Sequence, residues 1–257
     1  MTRRTALANQ KGGVAKTTTA VNLAAGLARQ GTKVLLLDMD PQANATFSLL
    51  GKEADGGTIY DILINDEQID DVVIQTRHEN LSLIPSSIDL AGAEVELISA
   101  IGGQTRLRTK LEFGAESSQT LNELDYLIID APPSLGLLTI NAIAAVDEVL
   151  IPVSSSIFAL KGITQLENTI QQIRLNLNRP ELQIGGVLCT LFDHTNVAQD
   201  VMKLVRERFG DKVFETVIPK NIKLEEAHSR AETIFSYASN SKGAIAYAQL
   251  VEEFIQQ

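Results

Sequence analysis

Lys11 and Lys16 bracket a glycine pair in "LANQKGGVAKTTTAVNLAAGLA", residues 7–28. Cations around Gly12 and Gly13, followed at once by the hydroxyls of Thr17 and Thr18, suit a phosphate chain and a divalent cation. The stretch departs from the common spacing G-x-x-x-x-G-K-[ST]. Gln10 stands where the first glycine would be, and Ala15 precedes Lys16. A phosphate loop needs inward backbone N–H groups, a helix N-terminus facing the anion and a lysine that reaches it. "TALAN" reads as the strand before such a loop and "KTTTAVNLAAGLA" as the helix after it. Gly12 and Gly13 give the backbone freedom, Lys16 closes the loop, and Thr17 is placed to ligate Mg²⁺. If Ala15 needs a positive φ, its Cβ adds roughly 1 kcal/mol of strain, small against nucleotide binding. The competing reading is a glycine turn between strand and amphipathic helix, with both lysines solvated.

Three carboxylates add to this chemistry. Asp130 ends the apolar run "YLIID", at the strand edge where Rossmann-like sheets place ligands. Asp38 and Asp40 lie two apart at the end of "VLLLD", on one face if the strand continues. The plainer roles are helix capping for Asp40, ahead of "PQANAT", and a cap or turn carboxylate for Asp130.

These groups need a scaffold. Thr5–Ala8, Val34–Asp38, Leu81–Pro85, Tyr126–Asp130, Val149–Val153, Ile184–Leu191 and Val213–Pro219 read as strands. Uninterrupted apolar runs suit strands buried on both faces of a parallel sheet. Helices are expected at Thr17–Gln30, Ile140–Ala145, Gly162–Leu177, Val197–Phe209 and Ala244–Gln256. Such alternation predicts a doubly wound α/β fold, a mostly parallel sheet flanked by helices. Residues 52–80 and 102–124 carry weak patterns and read as peripheral short helices and loops. With no repeat or low-complexity linker, residues 1–257 are expected to form a single domain.

Composition bounds the function. The chain is 44% apolar and 21% charged, lacks Trp, and has a net charge of −10. An acidic body argues against general polyanion binding, so nucleic acid would need a local basic patch. The lone Cys189 excludes a disulfide framework or a Cys-ligated cluster within one chain. Apolar runs are too short to span a bilayer, and "MTRRTALANQ" has no signal-like apolar core. A cytosolic protein is expected.

"KGGVAKTTT" resembles the deviant Walker A pattern K-G-G-x-x-K-[ST] of the ParA/MinD family of ATPases, where the residue before the second lysine varies freely. "LLLDMDPQANAT" resembles that family's first switch, "YLIIDAPPSLGLLTINAI" its Walker B and second switch, and "VIPKNIKLEEA" the ParA/Soj segment near the base. The resemblance spans nearly the whole chain and implies a P-loop NTPase using ATP and Mg²⁺, its turnover slow and partner-stimulated. Gly12, Gly13, Val14, Ala15, Lys16, Thr17 and Thr18 would cradle the phosphates. Thr17, Asp38 and Asp130 would serve the metal. Asp40 would orient the attacking water. Lys11 would reach across an ATP sandwich homodimer to the partner's phosphates, much as an arginine finger does. Pro219 and Asn221 would contact adenine. Lys161 stands where relatives carry an acid, and is either a second interface lysine or a surface charge swap.

The family divides by the surface it binds. MinD-like members, the alternative reading, end in a basic amphipathic helix on the membrane. Here "GAIAYAQLVEEFIQQ" has no cation after Lys242, so no membrane binding is expected. ParA-like members bind double-stranded DNA non-specifically as the ATP dimer. Lys203, Arg206, Lys220, Lys223, Arg230 and Lys242 are the candidate contacts, with Arg208 and Lys212 nearby. His194 falls near a position where relatives have arginine. The competing reading makes these solvated helix charges. No helix-turn-helix domain fits before Thr5, so operator binding is not expected. A ParB-like adaptor would stimulate hydrolysis and carry the cargo: a plasmid, a chromosome origin or an organelle such as a carboxysome. Nucleoid association follows. An iron–sulfur carrier on the same scaffold lacks its cysteine pairs, and a tyrosine kinase lacks its C-terminal tyrosine cluster.

Overall fold

The computed structural model describes residues 2–114, 118–156, 159–193 and 195–257, with no side-chain description at 159–161. His194 therefore lies outside the described residues, and so does the side chain of Lys161.

Eight strands form one sheet: β1 (Arg3–Leu7), β2 (Val34–Asp38), β3 (Ile74–Gln75), β4 (Leu81–Ile84), β5 (Tyr126–Asp130), β6 (Glu148–Ser154), β7 (Gln183–Phe192) and β8 (Val213–Pro219). Their order is β3-β4-β2-β5-β1-β6-β7-β8. All pairings are parallel except the short antiparallel edge β3–β4. The seven expected strands are all present. The missed one, β3, is two residues long and carries too little pattern to be seen.

Helices cover both faces, which is why "VLLLD" of β2 is buried throughout. On one face the helices Lys16–Arg29 and Lys242–Gln256 pack together over Leu7, Leu36, Ile128 and Leu188. Gly26 permits this close approach, since a Cβ there would sit 2.4 Å from Val251 Cγ2. On the other face Leu137–Ala144 and Ala159–Asn176 cover Ala6, Leu37, Ile129 and Ile151. The weakly patterned stretches do form short peripheral helices, Ile59–Leu63, Ile69–Val72, Arg106–Gly114 and Gln119–Asn122. Further helices form at Asn44–Leu50, Leu90–Ser99, Ile222–Ser229 and Ile234–Tyr237.

Parallel register brings the sequence-distant motifs level. Asp38 pairs with Asp130, and Asp130 with Leu7, at the carboxyl edge of the sheet. The loop after β1 thus emerges beside both carboxylates, where open α/β sheets bind ligands. Among the described residues no helix is long and apolar enough to cross a membrane.

Candidate nucleotide site

The loop after β1 runs directly into the helix Lys16–Arg29, so its first free N–H groups face the sheet edge. Ala15 precedes that helix at φ 58°, ψ 33°. The left-handed conformation that makes an alanine costly is therefore present. The loop is tied down from several sides. Buried Asn9 donates from Nδ2 to the carbonyl of Pro152 (2.7 Å), and its Oδ1 accepts from the Lys11 amide (3.0 Å). The Thr190 hydroxyl donates to the Val14 carbonyl (3.0 Å). Neighbours from β6 and β7 thus hold the loop rigid, as binding without reorganisation requires.

Over the loop opens a cavity of about 450 Å³ lined by Gly12, Gly13, Ala15, Lys16, Thr17, Thr18, Asp40, Gln42, Asn44, Pro133, Leu191, Glu225 and His228. Most of the expected phosphate-binding residues therefore share one wall. Val14 is buried beneath the loop, and half-buried Lys11 lies beside the cavity rather than in its lining. That position is compatible with a lysine aimed at a partner.

Lys16 is buried, and burial lowers its pKa against the opposing pull of Asp130 and Asp40. Asp38 is fully buried and pushed up to about 6 by burial. Its partners resist the shift. Oδ2 accepts from the Thr46 amide and hydroxyl (2.8 Å each), and Oδ1 from the Asp40 amide (3.1 Å). Asp38 so caps the helix Asn44–Leu50, whose own cap residue Ala43 is left-handed and offers no side-chain acceptor. Asp40 accepts from the Gln42 amide (3.0 Å).

Asp130 differs. Both its oxygens are buried without a hydrogen-bond partner. Burial, and next the charge of Asp38, push it up to about 8, while Thr17 and Lys16 partly counter this. The Thr17 hydroxyl comes near without meeting full hydrogen-bond geometry. A buried orphan carboxylate is costly unless something cationic joins it. Among the described residues no three His, Cys, Asp or Glu side chains form a metal cage of their own. That suits Mg²⁺, which takes one or two protein oxygens and completes its shell with phosphate and water. Asp130 with Thr17 fits this demand. Asp38, its oxygens already engaged, fits as a second-layer support.

Other expected contacts lie elsewhere. Pro219 lines a separate apolar groove with Phe192, Val217, Lys242 and Ile245. Asn221 spends its Oδ1 on the Lys223 amide (2.9 Å), capping the helix Ile222–Ser229. Neither lines the phosphate cavity. The cations fall in two groups. Lys203 and Arg206 lie on the helix Asn196–Phe209, facing Glu207 (3.9 Å) and Glu215 (2.7 Å). Lys223 pairs with Glu226 (2.7 Å), and Lys223 and Arg230 both approach the Tyr237 ring. Lys220 and Lys242 are exposed near the end of β8. Exposed pairs of this kind contribute little to stability.

Sequence reasoning missed Asn9, Gln42, Asn44, Pro133, Leu191, Glu225 and His228. Asn9 and Pro133 sit inside motifs already noted. Glu225 sits in the segment "VIPKNIKLEEA", whereas His228 carries no local signal; its ring is held by Ser48 (Nδ1···Oγ 2.5 Å) and packs near Phe47.

Comparison with known proteins agrees with this geometry. A family model described as an AAA domain matches residues 2–184. The chain is 48% identical to sporulation initiation inhibitor protein Soj of Bacillus subtilis, covering 96% of each chain. It is 45% identical to chromosome partitioning protein ParA of Myxococcus xanthus, covering 98% of this chain and 87% of that one. Among solved structures, cobyrinic acid a,c-diamide synthase from Mycobacterium smegmatis with bound ADP and magnesium superposes at TM-score 0.83, 35% identity, over 100% of this chain and 95% of that one. An ATP complex of Cyanothece McdA superposes at TM-score 0.84, 25% identity, over 99% and 96%. The glycine loop, the paired strand-end carboxylates and these likenesses together place this chain in the ParA/Soj family of P-loop ATPases.

Proposed function

We propose that this chain is a partitioning ATPase that binds ATP with Mg²⁺, dimerises around it, binds double-stranded DNA non-specifically and lets go after adaptor-stimulated hydrolysis. The observation that carries the reading is the unpartnered Asp130 carboxylate beside Thr17 and Lys16, at the mouth of a preorganised glycine loop. Partitioning is the role named for the Myxococcus ParA relative. ADP with magnesium, and ATP, are bound by the two solved neighbours. The synthase activity in the name of one neighbour belongs to that protein, and identity to Soj is higher.

The residues divide the work. Backbone N–H groups of residues 12–18 take the phosphate oxygens, and Lys16 adds a fixed positive charge whose desolvation strengthens it. Thr17 and Asp130 would hold Mg²⁺, which neutralises phosphate charge when bound. Asp40, facing the cavity and steadied by the Gln42 amide, orients the attacking water. Lys11, outside the lining of its own site, reaches the nucleotide of a second copy. Two acidic subunits closing on two triphosphates need such cations to offset repulsion. The dimer doubles the two cation groups into one face for phosphate contacts, without base readout. The cargo is a plasmid, a chromosome or a protein organelle.

The test is a gel shift of plasmid DNA with ATP, ADP or no nucleotide, run beside liposome sedimentation. ATP-specific, salt-sensitive DNA binding without lipid binding is expected. Lipid sedimentation without DNA binding would favour the MinD-like reading instead.

A further inference from the structure

The nucleotide cavity carries two acceptors that phosphates cannot use. Glu225 and His228 both line it. They lie one turn apart on the helix Ile222–Ser229 and so share one of its sides. Glu225 is exposed, and as a carboxylate it only accepts hydrogen bonds. Lys16 and the amides of the loop 12–18 draw phosphate to their part of the cavity, but a carboxylate repels it. The wall formed by Glu225 and His228 therefore suits another part of the ligand.

The tautomer of His228 follows from its neighbour. Ser48 Oγ donates its single proton to the Asn44 carbonyl (2.8 Å). It then meets His228 Nδ1 (2.5 Å) with a lone pair, so Nδ1 carries the N–H. Burial holds the pKa of this imidazole below the usual histidine value, which favours the neutral ring. Nε2 is left as a bare acceptor on a ring that lines the cavity. It is not among the buried atoms that lack a partner, so a ligand can reach it. The Phe47 ring, 5.9 Å away between centroids, steadies the imidazole from the same helix as Ser48.

Two neighbouring acceptors match two neighbouring donors. A ribose supplies such a pair in its 2′- and 3′-hydroxyls. Ionised phosphates supply no donor, and the adenine amino group is a single donor centre.

We infer that Glu225 and His228 form a ribose subsite whose acceptors take the 2′- and 3′-hydroxyls, with Ser48 as the positioning residue that fixes the imidazole tautomer. The subsite selects ribonucleotides over nucleotides that lack these hydroxyls. It rests on the nucleotide reading above.

The test is isothermal titration of the full chain, in Mg²⁺, with ADP, 2′,3′-dideoxy-ADP and pyrophosphate. These diphosphates keep triphosphate hydrolysis out of the measurement. The wild type should bind ADP roughly tenfold or more tighter than the dideoxy form, because the latter leaves both acceptors unpaired. His228→Leu and Glu225→Ala should each lose most of that preference, chiefly through weaker ADP binding. Glu225 is exposed, so Glu225→Ala keeps the test open should His228→Leu fail to fold. Ser48 lies outside the cavity lining; Ser48→Ala should narrow the preference and Ser48→Thr should restore it. Equal wild-type affinity for ADP and dideoxy-ADP overturns the subsite. An unchanged preference in a lining variant, or in Ser48→Ala, overturns the role of that residue. Parallel losses for ADP, dideoxy-ADP and pyrophosphate would assign the pair to the phosphates or to the fold, and would also overturn the subsite. A wild type that binds neither ADP nor pyrophosphate strikes the nucleotide reading itself, whereas one that binds both and ignores the hydroxyls strikes the subsite alone.

Discussion

Replacing Asp130 with asparagine should strengthen the nucleotide-free fold while disabling the site. The carboxylate is fully buried, without a hydrogen-bond partner, and paired in register with Asp38. Neighbouring strands lie about 4.8 Å apart. Two like charges at roughly 5 Å in an effective dielectric of about 20 repel by about 3 kcal/mol. Lys16 cancels part of that, and proton uptake limits the remainder, so Asp130→Asn should add about 1–3 kcal/mol. In a chain of this size each kcal/mol raises Tm by about 2–4 °C. Mg-ATP at a hundred times its Kd should stabilise the wild type by about 2.7 kcal/mol. The variant should lose the Mg²⁺-dependent part of this gain. Thermal unfolding of both proteins, with and without Mg-ATP, therefore gives curves whose order reverses on adding ligand. A variant that melts at or below the wild-type temperature without nucleotide would show that Asp130 is not held at a cost, and the argument for a cation beside it would fail.

Lys11→Ala should keep part of its nucleotide binding and lose turnover, measured by phosphate release; full turnover in this variant would refute a lysine acting in the partner's site. Ala15→Gly should raise stability by about 0.5–1 kcal/mol in urea unfolding, because the left-handed conformation costs a Cβ that glycine lacks. His78 is half-buried with Nε2 unpartnered, and burial holds its pKa below the usual histidine value. The unfolded chain then binds the extra proton, so stability is full above about 6.5 and is lost as pH falls below it. Asp38 and Asp130, raised by burial, act in the opposite sense. The useful comparison is therefore His78→Gln against wild type, and the variant should gain relative stability between about pH 7.5 and 5.5. A pH-independent gap would remove the burial argument.

Much of the scaffold was legible because its strands are buried on both faces. "VLLLD" and "YLIID" leave no other use for five consecutive mostly apolar residues ending in an acid, and each strand lies where expected. The phosphate wall was legible for a related reason: a glycine loop works through local backbone geometry. What failed was anything held from a distance. The helix Asn44–Leu50 has no capping side chain of its own and borrows Asp38. Leu191 lines the cavity at φ 52°, a conformation that no leucine announces. His228 is held at the cavity by the Ser48 contact, formed 180 positions away in sequence. Asn221, expected at the base, also caps a helix through its amide oxygen, a tertiary detail that its motif does not announce.

Strand β1 lies in the middle of the sheet, between β5 and β6. During synthesis β1 and the loop after it leave the ribosome well before their hydrogen-bonding neighbours, which end only at Asp130 and Ser154. Nascent chains shorter than this hold β1 with its ladder groups unpaired on both sides, a species prone to association. Competence to retain nucleotide should therefore arise abruptly late in translation, when β6 clears the exit tunnel and closes the ladder beside Leu7.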